Sequence, residues 1–383
     1  MQNIEEIIGN LPNEIGKIDY VNELNLEKIK EIDASNMYQL LTNYGKLVKD
    51  AFDNAVSLKG SKIVMDLTNK KIKNIIVLGI GGSAMAGELL KSYLKYMLCN
   101  NRLEVNIIRG ASIPFEVNED ALVFCCSYSG NTAETLAALD KIKNKTNNII
   151  AITSGGELST IAEKDGFNLL KLPVGMMPRC AVFYSFFHLL HTLCALNLIE
   201  KVANDTMQKS MEKVLTDEFD ASLNYSAIDN NNIALVLARL CVDKIPIIYT
   251  GAERLEAVNL RWRGQIQENA NQLCFGNYFP ELNHNEINGW MFPTDLLDNF
   301  VVIAMKDIED SADLNTAITN GLNILRQKGI EVIEVVVAGD TLLERVIRLI
   351  CIADWFSFYL AIMNNTDPTP IPLITELKNT ISK

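Results

Sequence analysis

The chain has 383 residues, of which 48% are hydrophobic and 21% charged, and its formal net charge is -12 at pH 7. This length predicts two domains, and this composition predicts a globular protein with a substantial core. The acidic balance argues against a surface for nucleic acid or anionic membrane, although local donors could still bind a small anion.

The apolar pattern predicts two successive runs of strands and helices. In the first run, residues 37–52 have the helix period, and short apolar strands alternate with helices from residue 74 onward. Strands are predicted at 74–78, 103–108, 121–126 and 148–152, with helices at 83–97, 132–142 and 182–196. In the second run, strands are predicted at 245–251, 300–305 and 330–337, before a helix at 343–363.

Short, continuously apolar strands that alternate with helices predict parallel sheets covered on both faces. Because the order of elements repeats, we predict two doubly wound, flavodoxin-like α/β domains in tandem, with further helices at the N-terminal and C-terminal ends. The first domain is predicted to span residues 1–215, including the N-terminal helices, and the second to span residues 216–383.

The predicted strand at 121–126 ends in a hydroxyl-rich turn, Ser127-Tyr-Ser129-Gly130-Asn-Thr132, and a helix follows. Backbone N–H groups and the helix dipole favour an anion at such a turn, and the hydroxyls add donors without adding charge. The segment therefore predicts a site for a phosphorylated small molecule.

A glycine-rich turn, Gly79-Ile-Gly81-Gly82-Ser83, follows the strand at 74–78 and opens a helix. Taken alone, it is also consistent with a tight turn and a capped helix. It is not a dinucleotide-binding fingerprint, because Ala84 stands where G-x-G-x-x-G requires glycine. Two hydroxyl-bearing turns after neighbouring strands favour a phosphate site more strongly than either turn alone.

The two turns together resemble the phosphosugar-binding loops of the sugar isomerase domain family, many of whose members carry two such domains. Three further segments match: Pro178-Arg179, Gln267-Glu268-Asn-Ala and Asn283-His284-Asn-Glu. With Leu377-Lys378 near the end, the sequence resembles bifunctional phosphoglucose/phosphomannose isomerases over nearly its whole length.

The resemblance implies a role for each matching residue. The sugar 6-phosphate would be held by residues of the two turns, namely Gly82, Ser83, Ser127, Ser129 and Thr132. Glu268 would carry a proton between C2 and C1, and Arg179 would stabilise the oxygen of a cis-enediolate. His284 and Lys378 would assist ring opening, with His284 contributed across a homodimer interface. Neither a cofactor nor a metal is implied.

Aldose–ketose isomerisation needs these residue types for chemical reasons of its own. One carboxylate must reach both carbons, and general acid–base catalysis of this kind contributes roughly 10²–10⁴-fold. A fixed positive charge stabilises the developing oxyanion, and a histidine exchanges protons near neutral pH. The three histidines are scattered along the chain without the spacing of a metal site.

Each candidate also has an ordinary structural interpretation. Without the resemblance, Glu268 is a solvated helix glutamate, Arg179 pairs near a helix start, and Lys378 is a solvated charge. Acceptance of both C2 epimers is associated in this family with a threonine that opens space near C2, for which Thr369 is the candidate.

We therefore predict a metal-independent isomerase that interconverts glucose 6-phosphate and mannose 6-phosphate with fructose 6-phosphate, as in glycolysis and gluconeogenesis. Its expected partners are phosphosugars and a second copy of itself, with no nucleic acid and no membrane. Eight cysteines without a Cys-x-x-Cys pair, and no basic apolar leader, predict a cytoplasmic location. Two alternatives stay open: a non-catalytic phosphosugar sensor, and an isomerase of another aldose phosphate.

Overall fold

The computed structural model describes residues 24–56, 62–67, 70–97, 103–199 and 201–381. By internal contacts the chain divides into two compact units. The first unit is Lys46–Leu215, and the second joins the described residues through Gly45 to Thr216–Lys383. Each unit contains one parallel β-sheet, which confirms the predicted fold class of two parallel-sheet α/β domains.

Four helices precede the first strand, α1 (Leu26–Ile32), α2 (Met37–Thr42), α3 (Tyr44–Val56) and α4 (Lys62–Leu67). Chain order predicts that the N-terminal helices belong to the first domain, but α1 and α2 pack in the second unit. There Tyr38 lies edge-on to Trp355, with 5.6 Å between ring centroids. Helix periodicity identifies the apolar face of such a helix but not the surface that covers it.

The sheet of the first unit has five parallel strands in the order β2-β1-β3-β4-β5. The strands are β1 (Asn74–Leu78), β2 (Glu104–Ile108), β3 (Ala121–Cys126), β4 (Ile149–Thr153) and β5 (Asn168–Lys171). This is the flavodoxin order, in which the winding direction reverses between β1 and β3. Open α/β sheets bind ligands at the carboxyl ends of the strands on either side of that reversal.

Five described α-helices of the first unit follow β1. They are α5 (Gly82–Met97), α6 (Ala133–Ile142), α7 (Gly156–Asp165), α8 (Val182–Ala195) and α9 (Lys201–Val214), with a 3-10 helix at Pro178–Ala181. The central strand β3 is buried along its whole length. Its alternate residues Val123 and Cys125 pack with Leu139 of α6 in the core.

The sheet of the second unit has four parallel strands in the order β7-β6-β8-β9. The strands are β6 (Ile245–Gly251), β7 (Phe275–Phe279), β8 (Phe300–Lys306) and β9 (Glu331–Val336). Their order repeats that of β2, β1, β3 and β4 in the first unit. The duplication expected from the sequence is therefore present at the level of topology.

The described helices of the second unit after residue 215 are α10 (Asp217–Ser222), α11 (Ile233–Cys241), α12 (Glu256–Asn269), α13 (Glu286–Gly289), α14 (Ala312–Gln327), α15 (Leu342–Met363) and α16 (Pro372–Ile381), with 3-10 helices at Glu281–His284 and Thr294–Asn299. Within the described ranges, α15 is the one helix whose length and composition would suit a membrane span. Its most apolar window is 83% buried inside the protein, as expected of a core helix.

A polar stripe on α12 is buried against α15. Arg261 donates to both oxygens of Asp354 at 2.9 and 3.1 Å, and Gln265 donates to the same carboxylate at 2.6 Å. Tyr44 completes the group by donating to Asp354 at 3.0 Å. Because buried polar groups must keep their partners, these bonds fix the rotation of α12, whose last turn carries Glu268.

Candidate active site

The hydroxyl-rich turn after β3 is held closed by its own side chains. The hydroxyls of Ser127 and Thr132 are 2.9 Å apart, and the Gly130 N–H donates to Ser127 Oγ at 3.1 Å. The Asn131 N–H donates to Ser129 Oγ at 3.2 Å. Ser127 is buried whereas Ser129 is exposed, so the first serine shapes the turn and the second faces outward.

This turn is fastened to the next one along the sheet, after β4. The Leu158 N–H donates to the Gly130 carbonyl at 2.9 Å, and the Glu157 N–H donates to Asn131 Oδ1 at 2.9 Å. Gly130 has φ +71°, and a Cβ there would lie 1.9 Å from the Gly155 carbonyl oxygen. Glycine is therefore required both for the left-handed backbone and for the close approach.

Thr132 occupies the N-cap position of α6 in an extended conformation, but its side chain makes no capping hydrogen bond. Its hydroxyl lies beside Ser127 instead. The N–H groups in the first turn of α6 are consequently not satisfied by the cap residue, and the positive end of the helix dipole lies at the same place. Together with the Ser129 hydroxyl, this arrangement suits a phosphate group.

The glycine-rich turn after β1 brings a buried arginine to the same edge of the sheet. A Cβ on Gly82 would lie 3.3 Å from Arg179 Cα, and one on Gly79 would lie 3.1 Å from the carbonyl oxygen of Cys126. Arg179 is only 4% exposed. The first unit therefore gathers the predicted residues Gly82, Ser83 and Arg179 next to the hydroxyl-rich turn.

In the second unit, Glu268 is partly buried in the last turn of α12. The neighbouring Gln267 donates to the carbonyl immediately before β7 at 2.8 Å. This places the turn at the amino-terminal ends of the strands of the second sheet, which we call its amino edge. The chain after α15 leaves from the same edge, because Asn364 donates to Gln272 at 2.7 Å. That segment leads to α16, on which Lys378 is exposed.

His284 lies at the carboxyl-terminal ends of the strands of the second sheet, its carboxyl edge. It is exposed and ends the 3-10 helix that follows β7. The carboxyl edge is marked by the Ala252 N–H, which donates to the Phe279 carbonyl at 2.8 Å. Five residues of β7 separate the two edges by roughly 16 Å, so Glu268 and His284 of one unit are not brought together.

Next to the turn that carries His284 lies a partly buried hydrogen-bond network that the sequence pattern did not predict. Tyr249 and Asn277 both donate to the carboxylate of Glu286, the second at 2.6 Å. Trp290 donates to the Tyr249 hydroxyl at 3.1 Å. The signal in the sequence is Glu286 itself, two residues after His284 in the Asn-His-Asn-Glu segment.

The carboxyl edge of the second sheet differs chemically from that of the first. Arg345 contacts Asp307 at 2.7 Å and Glu309 at 2.6 Å, and Arg254 lies 3.8 Å from Asp310. Burial raises the pKa of Asp310 to about 6. Carboxylates already paired with arginines stand where the first sheet has hydroxyl-bearing turns, so the phosphate-binding features belong to the first sheet.

The candidate for C2-epimer tolerance can also be located. Thr369 lies between α15 and α16, where its N–H donates to Asp367 at 3.0 Å. Across the part of the chain that the structure describes, no group of three or more histidine, cysteine, aspartate or glutamate side chains could hold a metal ion.

Two domain families match the chain in tandem. The SIS domain matches residues 67–196, and the bacterial phospho-glucose isomerase C-terminal SIS domain matches residues 230–381. The bifunctional phosphoglucose/phosphomannose isomerase of Caldicellulosiruptor bescii is 34% identical over 91% of this chain and 99% of its own length. The enzyme of the same name from Aquifex aeolicus is 29% identical, over 84% of this chain and 93% of its own.

A solved structure has a similar fold. The C-terminal domain of glucosamine-fructose-6-phosphate aminotransferase from Francisella tularensis aligns with a TM-score of 0.65. The alignment covers 94% of this chain and 100% of that chain at 17% identity. At this identity the likeness concerns the fold alone.

Proposed function

This chain belongs to the bifunctional phosphoglucose/phosphomannose isomerase family, and from this premise we propose that it interconverts glucose 6-phosphate and mannose 6-phosphate with fructose 6-phosphate through a cis-enediolate, without a metal ion. The observation that carries the proposal is the Ser127–Thr132 turn at the winding reversal of the first sheet. That turn combines hydroxyls, an uncapped helix start and a neighbouring buried arginine, Arg179.

The sugar 6-phosphate binds at the two turns of the first unit. The hydroxyls of Ser83, Ser129 and Thr132 donate to its oxygens, together with N–H groups at the starts of α5 and α6. Ser127 receives the Gly130 N–H, which leaves its own proton free to donate to Thr132 or to the phosphate. Gly82 contributes by allowing the backbone before Arg179 to approach.

Glu268 performs the proton transfer. Its carboxylate removes the C2 proton of the open-chain aldose, and the electron pair forms a C1–C2 double bond with negative charge on O1. Returning that proton to C1 while the O2 hydroxyl proton moves to O1 gives the ketose. The Arg179 guanidinium stabilises the negative oxygen electrostatically, and Lys378 assists opening of the sugar ring.

His284 also assists ring opening, and we assign it to the active site of a second copy in a homodimer. Its position at the edge of the sheet opposite Glu268 supports this assignment. The segment on either side of it is open: β7, which leads to it, is an edge strand with Phe275 52% exposed at its far end, and Phe292, eight residues after His284, is 75% exposed. Exposed aromatic side chains along an edge strand are typical of a surface that another chain covers.

Mixing two inactive variants tests the shared site. In a dimer of one Glu268→Gln chain and one His284→Ala chain, a histidine acting across the interface leaves one complete site and one doubly damaged site. Activity should therefore return when the two variants are refolded together. No recovery, with mixed dimers verified by differential tagging, would show that His284 acts within its own chain or not at all.

Conversion of fructose 6-phosphate to both aldose phosphates in the presence of EDTA tests the reaction. We expect both activities to survive chelation and to fall on the order of 10²–10⁴-fold in Glu268→Gln. The matched control is Glu256→Gln at the exposed start of the same helix, which should behave as the parent. Phosphosugar binding without turnover would favour a sensor, and turnover only of a different aldose phosphate would favour the other alternative.

We place this activity in the cytoplasm, in the hexose phosphate steps of glycolysis and gluconeogenesis. The seven cysteines within the described ranges are all free and buried. A reducing compartment maintains thiols in that state. Fractionation of the source cells followed by the same activity assay tests the assignment, since activity in a secreted fraction would contradict it.

A further inference from the structure

Two strands converge on the carboxylate that follows His284 in the chain. Tyr249 of β6 and Asn277 of β7 are direct register partners, so their side chains project from the same face of the sheet. Tyr249 donates to one oxygen of Glu286, and Asn277 donates to the other at 2.6 Å. Each oxygen of Glu286 therefore has a donor fixed to a different strand.

Tyr249, the donor from β6, is itself held in place. Tyr249 is fully buried, and its hydroxyl accepts a hydrogen bond from Trp290 at 3.1 Å. Burial, and then the bond to Glu286, raise the pKa of Tyr249, so the phenol keeps its proton and remains a donor. Charge-assisted bonds of this kind are stronger than bonds between neutral groups.

The residue before His284 is anchored separately. Asn283 donates to the Ala317 carbonyl of α14 at 2.9 Å. A Cβ on Gly321 of the same helix would lie 2.5 Å from Asn283 Oδ1 and 2.6 Å from the Phe279 ring. The segment thus packs tightly on α14 upstream of His284 and binds the sheet through Glu286 downstream, while the imidazole between them stays exposed.

We infer that Glu286 is a positioning residue for ring opening, which fixes the backbone at His284 through Tyr249 and Asn277. The inference rests on the proposed role of His284. Glu286 does not touch substrate; it prevents the exposed turn from shifting. Displacement of a catalytic group by about 1 Å can lower a rate on the order of 10²-fold, so a partly buried anchor two residues away controls kcat more than KM.

A double-mutant cycle tests the inference on the full-length protein. Glu286→Gln should lower kcat for fructose 6-phosphate about ten- to a hundred-fold with little change in KM. In a His284→Ala background the same substitution should change kcat less than about twofold, because there is no imidazole left to position. Equal losses in both backgrounds, or an unchanged kcat in the parent background, would overturn the inference.

A control and a spectroscopic measurement separate this inference from the proposed function. The control is Glu334→Gln, which removes a carboxylate of β9 that is paired with Lys306 of β8 and Arg326 of α14. This substitution should leave kcat unchanged. The chain has three histidines, so selective labelling resolves the His284 ring signal by NMR. Glu286→Gln and Tyr249→Phe should both shift that signal, whereas Glu334→Gln should not.

The activity of His284→Ala and the NMR signal of His284 distinguish a wrong positioning role from a wrong proposed function. If His284→Ala keeps full activity, the proposed catalytic role of His284 is wrong, whatever the NMR result. If His284→Ala is impaired but Glu286→Gln leaves the His284 signal unmoved, the positioning role is wrong and the proposed function stands.

Discussion

Replacing Gly130 by alanine should open the phosphate-binding turn. At φ +71° an alanine costs about 1–2 kcal/mol for the left-handed backbone. Its Cβ would also lie 1.9 Å from the Gly155 carbonyl oxygen, so the turns after β3 and β4 must separate. That breaks the bonds from Leu158 to Gly130 and from Glu157 to Asn131, worth about 0.5–1.5 kcal/mol each. The free energy of unfolding should fall by about 2–5 kcal/mol.

Gly166→Ala is the matched control for this prediction. Gly166 has φ +76°, but no atom lies within 4 Å of a Cβ built there, so only the backbone cost of about 1–2 kcal/mol applies. Urea unfolding compares the stabilities, and calorimetric titration with fructose 6-phosphate compares the affinities. Gly130→Ala should weaken binding at least about tenfold, and Gly166→Ala should not. Equal destabilisation, or parental affinity in Gly130→Ala, would refute the reasoning.

Three other substitutions test separate parts of the structure. Asp354→Ala leaves Arg261 buried without its carboxylate and should lower the free energy of unfolding by about 3–5 kcal/mol; a loss below about 1 kcal/mol in urea titration would contradict the buried pair. Burial, and then His191, lower the pKa of His188 to about 4, so between about pH 6.5 and pH 4 the folded state binds fewer protons than the unfolded chain. Stability should therefore fall as pH falls through that window, by up to about 3 kcal/mol, and an unchanged pH–stability curve in His188→Gln would argue against this cause. Gly82→Ala places a Cβ 2.9 Å from the carbonyl before Arg179 and should lower kcat/KM for fructose 6-phosphate, a prediction that parental kinetics would disprove.

The central strands could be predicted from the sequence because they are buried on both faces. The bounds predicted for β1, β3 and β6 are those observed, and all three are nearly continuous runs of apolar residues. The edge strands β5 and β7 were not predicted. Each is short and partly exposed, and Gly276 and Asn277 interrupt the apolar pattern of β7, so neither carries a strong strand signal.

The part of the candidate site in the first unit could be predicted from the sequence for the same reason. Ser127 directly follows β3 and Gly82 lies four residues after the end of β1, and the carboxyl ends of adjacent parallel strands lie side by side. The linear pattern alone does not predict the separation of Glu268 from His284 within one chain, because it depends on β7 running between them; only the resemblance, which assigns His284 to a second copy, implied it. The contact of Tyr249 and Asn277 with Glu286 likewise depends on strand register, which the linear pattern does not fix.

Solvent hydrogen exchange tests the central claim, proton transfer by Glu268, most directly. Fructose 6-phosphate incubated with the parent protein in D2O containing EDTA should yield glucose 6-phosphate and mannose 6-phosphate that carry deuterium at C2 in the turnovers in which the proton on Glu268 exchanges with solvent before its return. Glu268→Gln should bind the sugar phosphate with similar affinity and leave C2 and C1 free of deuterium. Isomerisation or exchange that persists at the parental rate in Glu268→Gln would contradict a proton transfer by this carboxylate.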